Sequence, residues 1–186
     1  MKRSHLLVLL LAGYAAVFLR VPALGRWREV FDPLDARPRQ VETAVETGHF
    51  ADALPVALEL RTVHAREPLL AYWLAEIYRG LDRSREEAAA WETYVRLSST
   101  PDEACPSMPE AYARLGDASV ALQRFEQCVK WDSGNPERLI DLAAALEGYD
   151  RTAEALAVYR RAADLDPEDP RILRHIEVLS RRAAGS

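Results

Sequence analysis

Apolar positions in this chain recur three and four residues apart in two successive runs, and the pair of runs returns every 34 residues. In one such unit the first run is Leu139, Leu142, Ala143 and Leu146 and the second is Ala155, Leu156, Tyr159 and Ala162. This spacing predicts two amphipathic helices. Gly148-Tyr149-Asp150 reads as the turn between them. Asp166-Pro167 stops the second helix, because proline removes a donor and disfavours helix in the residue before it. Three columns mark the period: Gly48, Asp82, Gly116 and Asp150; Ala57, Trp91, Phe125 and Tyr159; Pro68, Asp102, Pro136 and Pro170. The register needs no insertion from residue 34 to residue 170. A fixed period in this range predicts a stacked array, since one unit cannot bury its own apolar face.

The residues within the columns resemble the tetratricopeptide repeat family. That family sets Ala on the second helix, an aromatic four residues on, a small residue three further, and a closing Pro. Ala121-Phe125-Cys128 and Ala155-Tyr159-Ala162-Pro167 fit this pattern. The resemblance covers residue 34 to about residue 183 and implies an all-α, TPR-like helical-hairpin solenoid of about four repeats with a capping helix, Arg171 to Arg182. Several positions depart from it. Glu87 stands where Ala is wanted, with Ala88 beside it. Arg37 and Gln40 take apolar slots of the first helix, which is expected to act as a polar cap. Pro55 is expected to kink the second helix of unit one. Pro106 and Pro109 should make the first helix of unit three start near Ser107 to Pro109 and stay short. The stripe Ile172, Leu173, Ile176 and Leu179 should cap unit four, with Arg171, Arg174, Arg181 and Arg182 solubilising the end.

The first residues follow a different pattern. Lys2 and Arg3 precede an uncharged run, Leu6 to Leu19. This is the layout of a secretory signal or signal anchor. Counted on to Leu24 with Arg20 snorkelling, the run reaches ~28 Å at ~1.5 Å per residue, close to a ~30 Å hydrocarbon core. The predicted organisation is a signal-anchor or transmembrane segment over 1–24, a linker over 25–38 around Trp27 and Phe31, repeats over 39–183, and a tail over 184–186. A cleaved signal with Ala23-Leu24-Gly25 at the cut is the alternative. Arg20, Arg26 and Arg28 on the far flank leave the orientation open on charge alone.

Composition changes this picture little: 49% hydrophobic, 28% charged and a formal net charge of -5 are ordinary for a folded chain and argue against nucleic acid as partner. Two cysteines, Cys105 and Cys128, are too few for a thiolate metal site. In an antiparallel hairpin turning near Gly116 they lie at facing ends, so a disulfide is expected, and with it an oxidising, exported location. Two buried free thiols are the alternative. His5, His49, His64 and His175 are isolated, with no metal or haem-attachment spacing. Carboxylates such as Glu86 and Glu87 read as solvated surface, and no nucleophile, phosphate-loop or metalloprotease motif occurs. The expectation is therefore a non-enzyme without metal or cofactor.

What the resemblance offers is a groove, because in that family the first helices line a concave face. Its inward columns project here onto Asp35, Glu42 and Glu46; Leu69, Tyr72, Glu76 and Arg79; Glu103, Glu110 and Arg114; and Glu137, Ile140 and Glu147. Acids outnumber bases there, with Tyr72 and Ile140 as apolar anchors. Such a surface suits a basic or Arg-rich segment of a protein partner. The expected role is a protein–protein scaffold at the bacterial inner membrane, single-pass with its repeats in the periplasm, acting as an assembly factor or accessory subunit of a membrane complex. A chaperone-like factor for c-type cytochrome maturation and a structural subunit with an idle groove are the alternatives.

Overall fold

A computed structural model describes residues 27–185. The expected anchor over 1–24 lies outside the described residues, and no helix among those described is long and apolar enough to cross a membrane. A short helix α1 (Trp27–Val30) precedes four hairpins. These are α2 (Ala36–Glu46) with α3 (Phe50–Val63), α4 (Pro68–Gly80) with α5 (Ser84–Leu97), α6 (Ser107–Arg114) with α7 (Ala118–Trp131), and α8 (Pro136–Gly148) with α9 (Thr152–Leu165). Helix α10 (Pro170–Gly185) closes the array, and from α2 onward each helix packs on its neighbours in chain order. No strand occurs among the described residues.

The turn column has one backbone geometry. Gly48, Asp82, Gly116 and Asp150 all have positive φ, at 76°, 58°, 79° and 59°. Glycine reaches that region without a Cβ clash, and Asp is one of the few other residues that tolerate it. The next amide then reaches back over the turn at the same interval. His49 N–H donates to Ala44 O at 2.8 Å, Arg83 to Tyr78 at 2.9 Å, Asp117 to Tyr112 at 3.2 Å and Arg151 to Leu146 at 2.9 Å. These bonds satisfy carbonyls that the helix ends would leave open. Four helices begin on side-chain caps, with Asp35, Asp117, Asn135 and Asp169 accepting from the amides of Arg37, Val120, Glu137 and Arg171.

The packing columns are equally regular. Ala57, Trp91, Phe125 and Tyr159 are buried, as are Ala53, Ala121 and Ala155. Two apolar clusters result. One runs from Phe31 through α2–α5 to Met108 and Ala111 on α6; the other runs from Leu122 and Phe125 on α7 through α8 and α9 to Ile172 and Leu179 on α10. The third hairpin is therefore divided between two cores. Cys105, just before α6, and Cys128 on α7 are disulfide-bonded there, with Cα atoms 6.0 Å apart.

Several local expectations change. The stretch read as a linker contains α1, and its Phe31 is 4% exposed, stacked on Trp73 and meeting His64 edge-on. Pro55 sits inside α3, which continues to Val63. The third unit begins with a 3-10 turn at Pro101–Ala104, and α6 is the short, late helix its prolines predict. On α10, Ile172 and Leu179 are fully buried, but Leu173 is 48% exposed and lies off the stripe.

Candidate functional site

The first helices α2, α4, α6 and α8 carry all the residues projected onto the groove except Asp35, which immediately precedes α2, and Glu103, which lies on the 3-10 turn before α6. The structure divides them. Glu46, Arg79, Glu110, Arg114 and Glu137 are exposed; Ile140 and Glu147 are half-buried. Tyr72 is only 5% exposed, packed edge-on against Trp91 and Tyr94. Most of its ring is therefore part of the core. Glu42 and Glu76 are also buried. Partial burial, then the neighbouring Glu42, raises the Glu46 carboxyl above its usual range. Burial raises that of Glu76 more than Arg79, its ion-pair partner, lowers it, and Glu87 adds to the rise.

Glu87 is the largest correction. It was expected on a solvated face, and instead it is fully buried. The Arg114 Nη2 donates to both its oxygens at 2.6 and 2.7 Å. A carboxylate removed from water needs such a partner. Arg114, projected into the groove, thus reaches back across the boundary between α5 and α6; it lies 4.0 Å from Glu110. The sequence holds a signal for this pair. Glu87 stands in the column of Ala53 and Ala121, while Arg114 stands in the column of Gly80 and Gly148. The boundaries on either side pair Ala with Gly; this one pairs Glu with Arg, so the two departures occur together.

The acidic excess at the other end is also smaller than projected. Arg171 pairs with Glu137, one period away, and with its own cap Asp169 at 2.6 Å. His175 Nδ1 lies 3.1 Å from Glu147 and its ring stacks on Tyr159, while Arg182 reaches the same carboxylate at 3.6 Å. Arg171 and Arg182, two of the four arginines expected to be solubilising, thus reach the last hairpin together with His175, while Arg181 pairs with Glu177 on its own helix. Sequence reasoning missed these partners, although Glu137 and Arg171 are opposite charges 34 apart. Glu103, on the 3-10 turn, accepts from the Tyr94 hydroxyl. What remains facing solvent is a broken acidic band led by Glu46 and Glu110.

Two cavities flank α4. One, of about 200 Å³, includes Arg61, Leu70, Leu74, Tyr78, Glu86 and Ala90 in its lining. The other, also about 200 Å³, lies where the start of α4 meets the end of α5 and the following turn. No cluster of side chains suited to a metal ion occurs among the described residues.

Stacked hairpins with a continuous first-helix face define a helical-repeat solenoid, a class whose surface serves other chains. Residues 112–174 match the family model described as tetratricopeptide repeat, and the described chain has the fold of solved tetratricopeptide-repeat proteins. It is similar to MamA, with 12% identity and a TM-score of 0.68 over 77% of this chain and 84% of that one. It is similar to YrrB, a tetratricopeptide-repeat protein with an unusual peptide-binding site, with 14% identity and a TM-score of 0.64 over 81% of this chain and 78% of that one. It also resembles TTC0263, a thermophilic tetratricopeptide-repeat protein of Thermus thermophilus, with 22% identity and a TM-score of 0.59 over 94% of each chain. No curated protein is similar enough to match.

Proposed function

We propose that this chain is a protein-interaction scaffold whose first-helix face receives a basic segment of a partner polypeptide. The observation that carries the reading is the row of exposed side chains on that face, with Glu46 and Glu110 on separate hairpins and no core role assigned to either. A solvent-facing acidic band raises the local concentration of cationic segments and sets their orientation. The peptide-binding site named for YrrB supports a polypeptide as the ligand class. In the narrower form of the proposal the protein is an assembly factor or accessory subunit of a bacterial membrane complex. It is held by its amino-terminal segment, with the repeats in the periplasm. The Cys105–Cys128 bond supports an oxidising compartment. Thiol labelling of the native protein should require reductant; free labelling without it removes the periplasmic assignment.

The test of the groove is charge reversal at positions that do not hold the fold. E46K with E110K should weaken a basic partner at least tenfold and leave the melting temperature unchanged. Unchanged affinity ends the groove reading. A structural subunit with an idle face is the second reading, favoured by the pairing of Glu137 and Glu147 with the closing helix. Cross-links from the partner to the second helices alone would select it. The cytochrome-maturation role is a special case of the scaffold, and requires co-purification with unhaemylated Cys-x-x-Cys-His chains.

A further inference from the structure

The cavity beside the start of α4 has a composition that selects its occupant. Its walls include Leu69 and Tyr72 from α4, Tyr94 and Leu97 from α5, Ser99 from the turn and Glu103 from the 3-10 segment. At about 200 Å³ it has room for one large side chain. The stem of that side chain would lie against Leu69 and Leu97, with two tyrosine rings beside it. Glu103 is the one charged side chain among the described residues of its lining. Burial, and then neighbouring carboxylates that include Glu103, hold the hydroxyls of Tyr72 and Tyr94 above their ordinary range, so both stay neutral. An apolar shaft ending at a carboxylate, flanked by neutral aromatic rings, complements a long aliphatic side chain with a cationic head. A planar guanidinium can donate to the carboxylate and stack on a ring face at once.

We infer that this cavity is a specificity pocket for a single arginine side chain of the partner polypeptide. The inference rests on the reading above that a polypeptide lies along the first helices, and it names the residue that anchors it. The wall is also braced: Glu103 is two residues from Cys105, whose bond to Cys128 ties the turn to α7. Tyr94 donates to Glu103 and, at 3.3 Å, to the Thr100 carbonyl. The carboxylate is therefore positioned before any ligand arrives, which lowers the ordering cost of binding.

The experiment uses the full chain and three labelled pentapeptides, Gly-Leu-X-Leu-Gly amide, with X as arginine, its neutral isostere citrulline, or norleucine, read by fluorescence anisotropy. The arginine peptide should bind at least tenfold more tightly than either of the others. Glu103→Gln should bring it down to the citrulline level. Ser99→Phe, at an exposed position on the rim, should fill the mouth and abolish binding of all three without lowering the melting temperature. Equal binding of the three peptides, binding of none, or a Ser99→Phe variant that binds like the wild type overturns the pocket. The two proposals fail separately. If E46K with E110K weakens a partner while the Glu103 and Ser99 variants change nothing, the pocket is wrong and the acidic face stands. The opposite pattern removes the face and keeps the pocket.

Discussion

The two cores of this molecule are built by different means. The carboxy-terminal core, from Leu122 to Leu179, uses the repeat pattern directly: Ala121 and Ala155 let helices approach, and Phe125 and Tyr159 fill the space beside them. The stretch that matches the family model, 112–174, covers most of it. The amino-terminal core holds two groups of touching rings, Phe31 with Trp73 and Tyr72 with Trp91 and Tyr94. An ion pair between the buried Glu87 and the exposed Arg114 stands at its boundary where the pattern has Ala and Gly. The difference teaches that the repeat geometry is set by turn and helix length, while the filling of each boundary is free to vary if volume and charge are satisfied together.

The comparison breaks hardest at Arg114. Arg114→Met leaves the Glu87 carboxylate buried without its partner and should cost about 3–5 kcal/mol. Glu87→Ala restores the residue of the neighbouring boundaries and frees an arginine already one-third exposed, so its cost should be below ~1 kcal/mol. Adding Glu87→Ala to Arg114→Met should recover most of the loss; urea unfolding of the four proteins gives the coupling, and additive effects would dismiss the pair as a unit.

Next in size is the joint between the cores. Replacing Cys105 and Cys128 by Ala removes a cross-link with a sequence separation of 23 and should cost about 3 kcal/mol. Because the third hairpin is shared between the clusters, unfolding should also separate into two transitions. A single transition of unchanged midpoint would mean that the bond joins nothing.

A smaller effect comes from one column read in both halves. A Cβ on Gly80 would lie 2.1 Å from the Phe50 ring, whereas around Gly148 nothing lies within 4 Å. Gly80→Ala should therefore destabilise by about 1–3 kcal/mol as the half-buried ring is displaced. Gly148→Ala should stabilise by about 0.4–1 kcal/mol through the unfolded chain. Thermal melts of the two variants shifting in the same direction would contradict this.

The smallest effect is a pH response of the carboxy-terminal core. The Tyr159 hydroxyl is buried without a hydrogen-bond partner, and burial first, then Glu147, pushes its pKa up to about 12 from an ordinary 10. The folded state therefore holds this proton more tightly than the unfolded state. Stability is retained below pH ~10 and is lost as pH rises toward ~12. Tyr159→Phe should flatten that alkaline slope and leave neutral-pH stability equal or slightly higher. An unaltered slope would show that the phenol is not responsible.

Much of the fold was legible because it is local and repeated. The 34-residue interval located four turns whose backbones do share a positive φ, and the short α6 followed from Pro106 and Pro109. The candidate face was legible only in part. A helical projection places Tyr72, Glu76 and Arg114 on the inward side, but it cannot tell a side chain that reaches solvent from one that folds back into the next boundary. Glu87 shows the same limit from the other direction: a polar residue reads as exposed until the structure supplies its partner from another hairpin.

The sequence by itself determined the helices of the repeats, their pairing and the order of stacking, because helix periodicity, proline stops and left-handed turn residues act within a few residues of chain. Only the tertiary structure decided which charges neutralise one another, that the third hairpin belongs to two cores, and that Glu103, Tyr94 and Leu97 enclose a cavity. Those outcomes depend on side chains from different repeats meeting at distances near 3 Å, and a pattern along the chain carries no such distances.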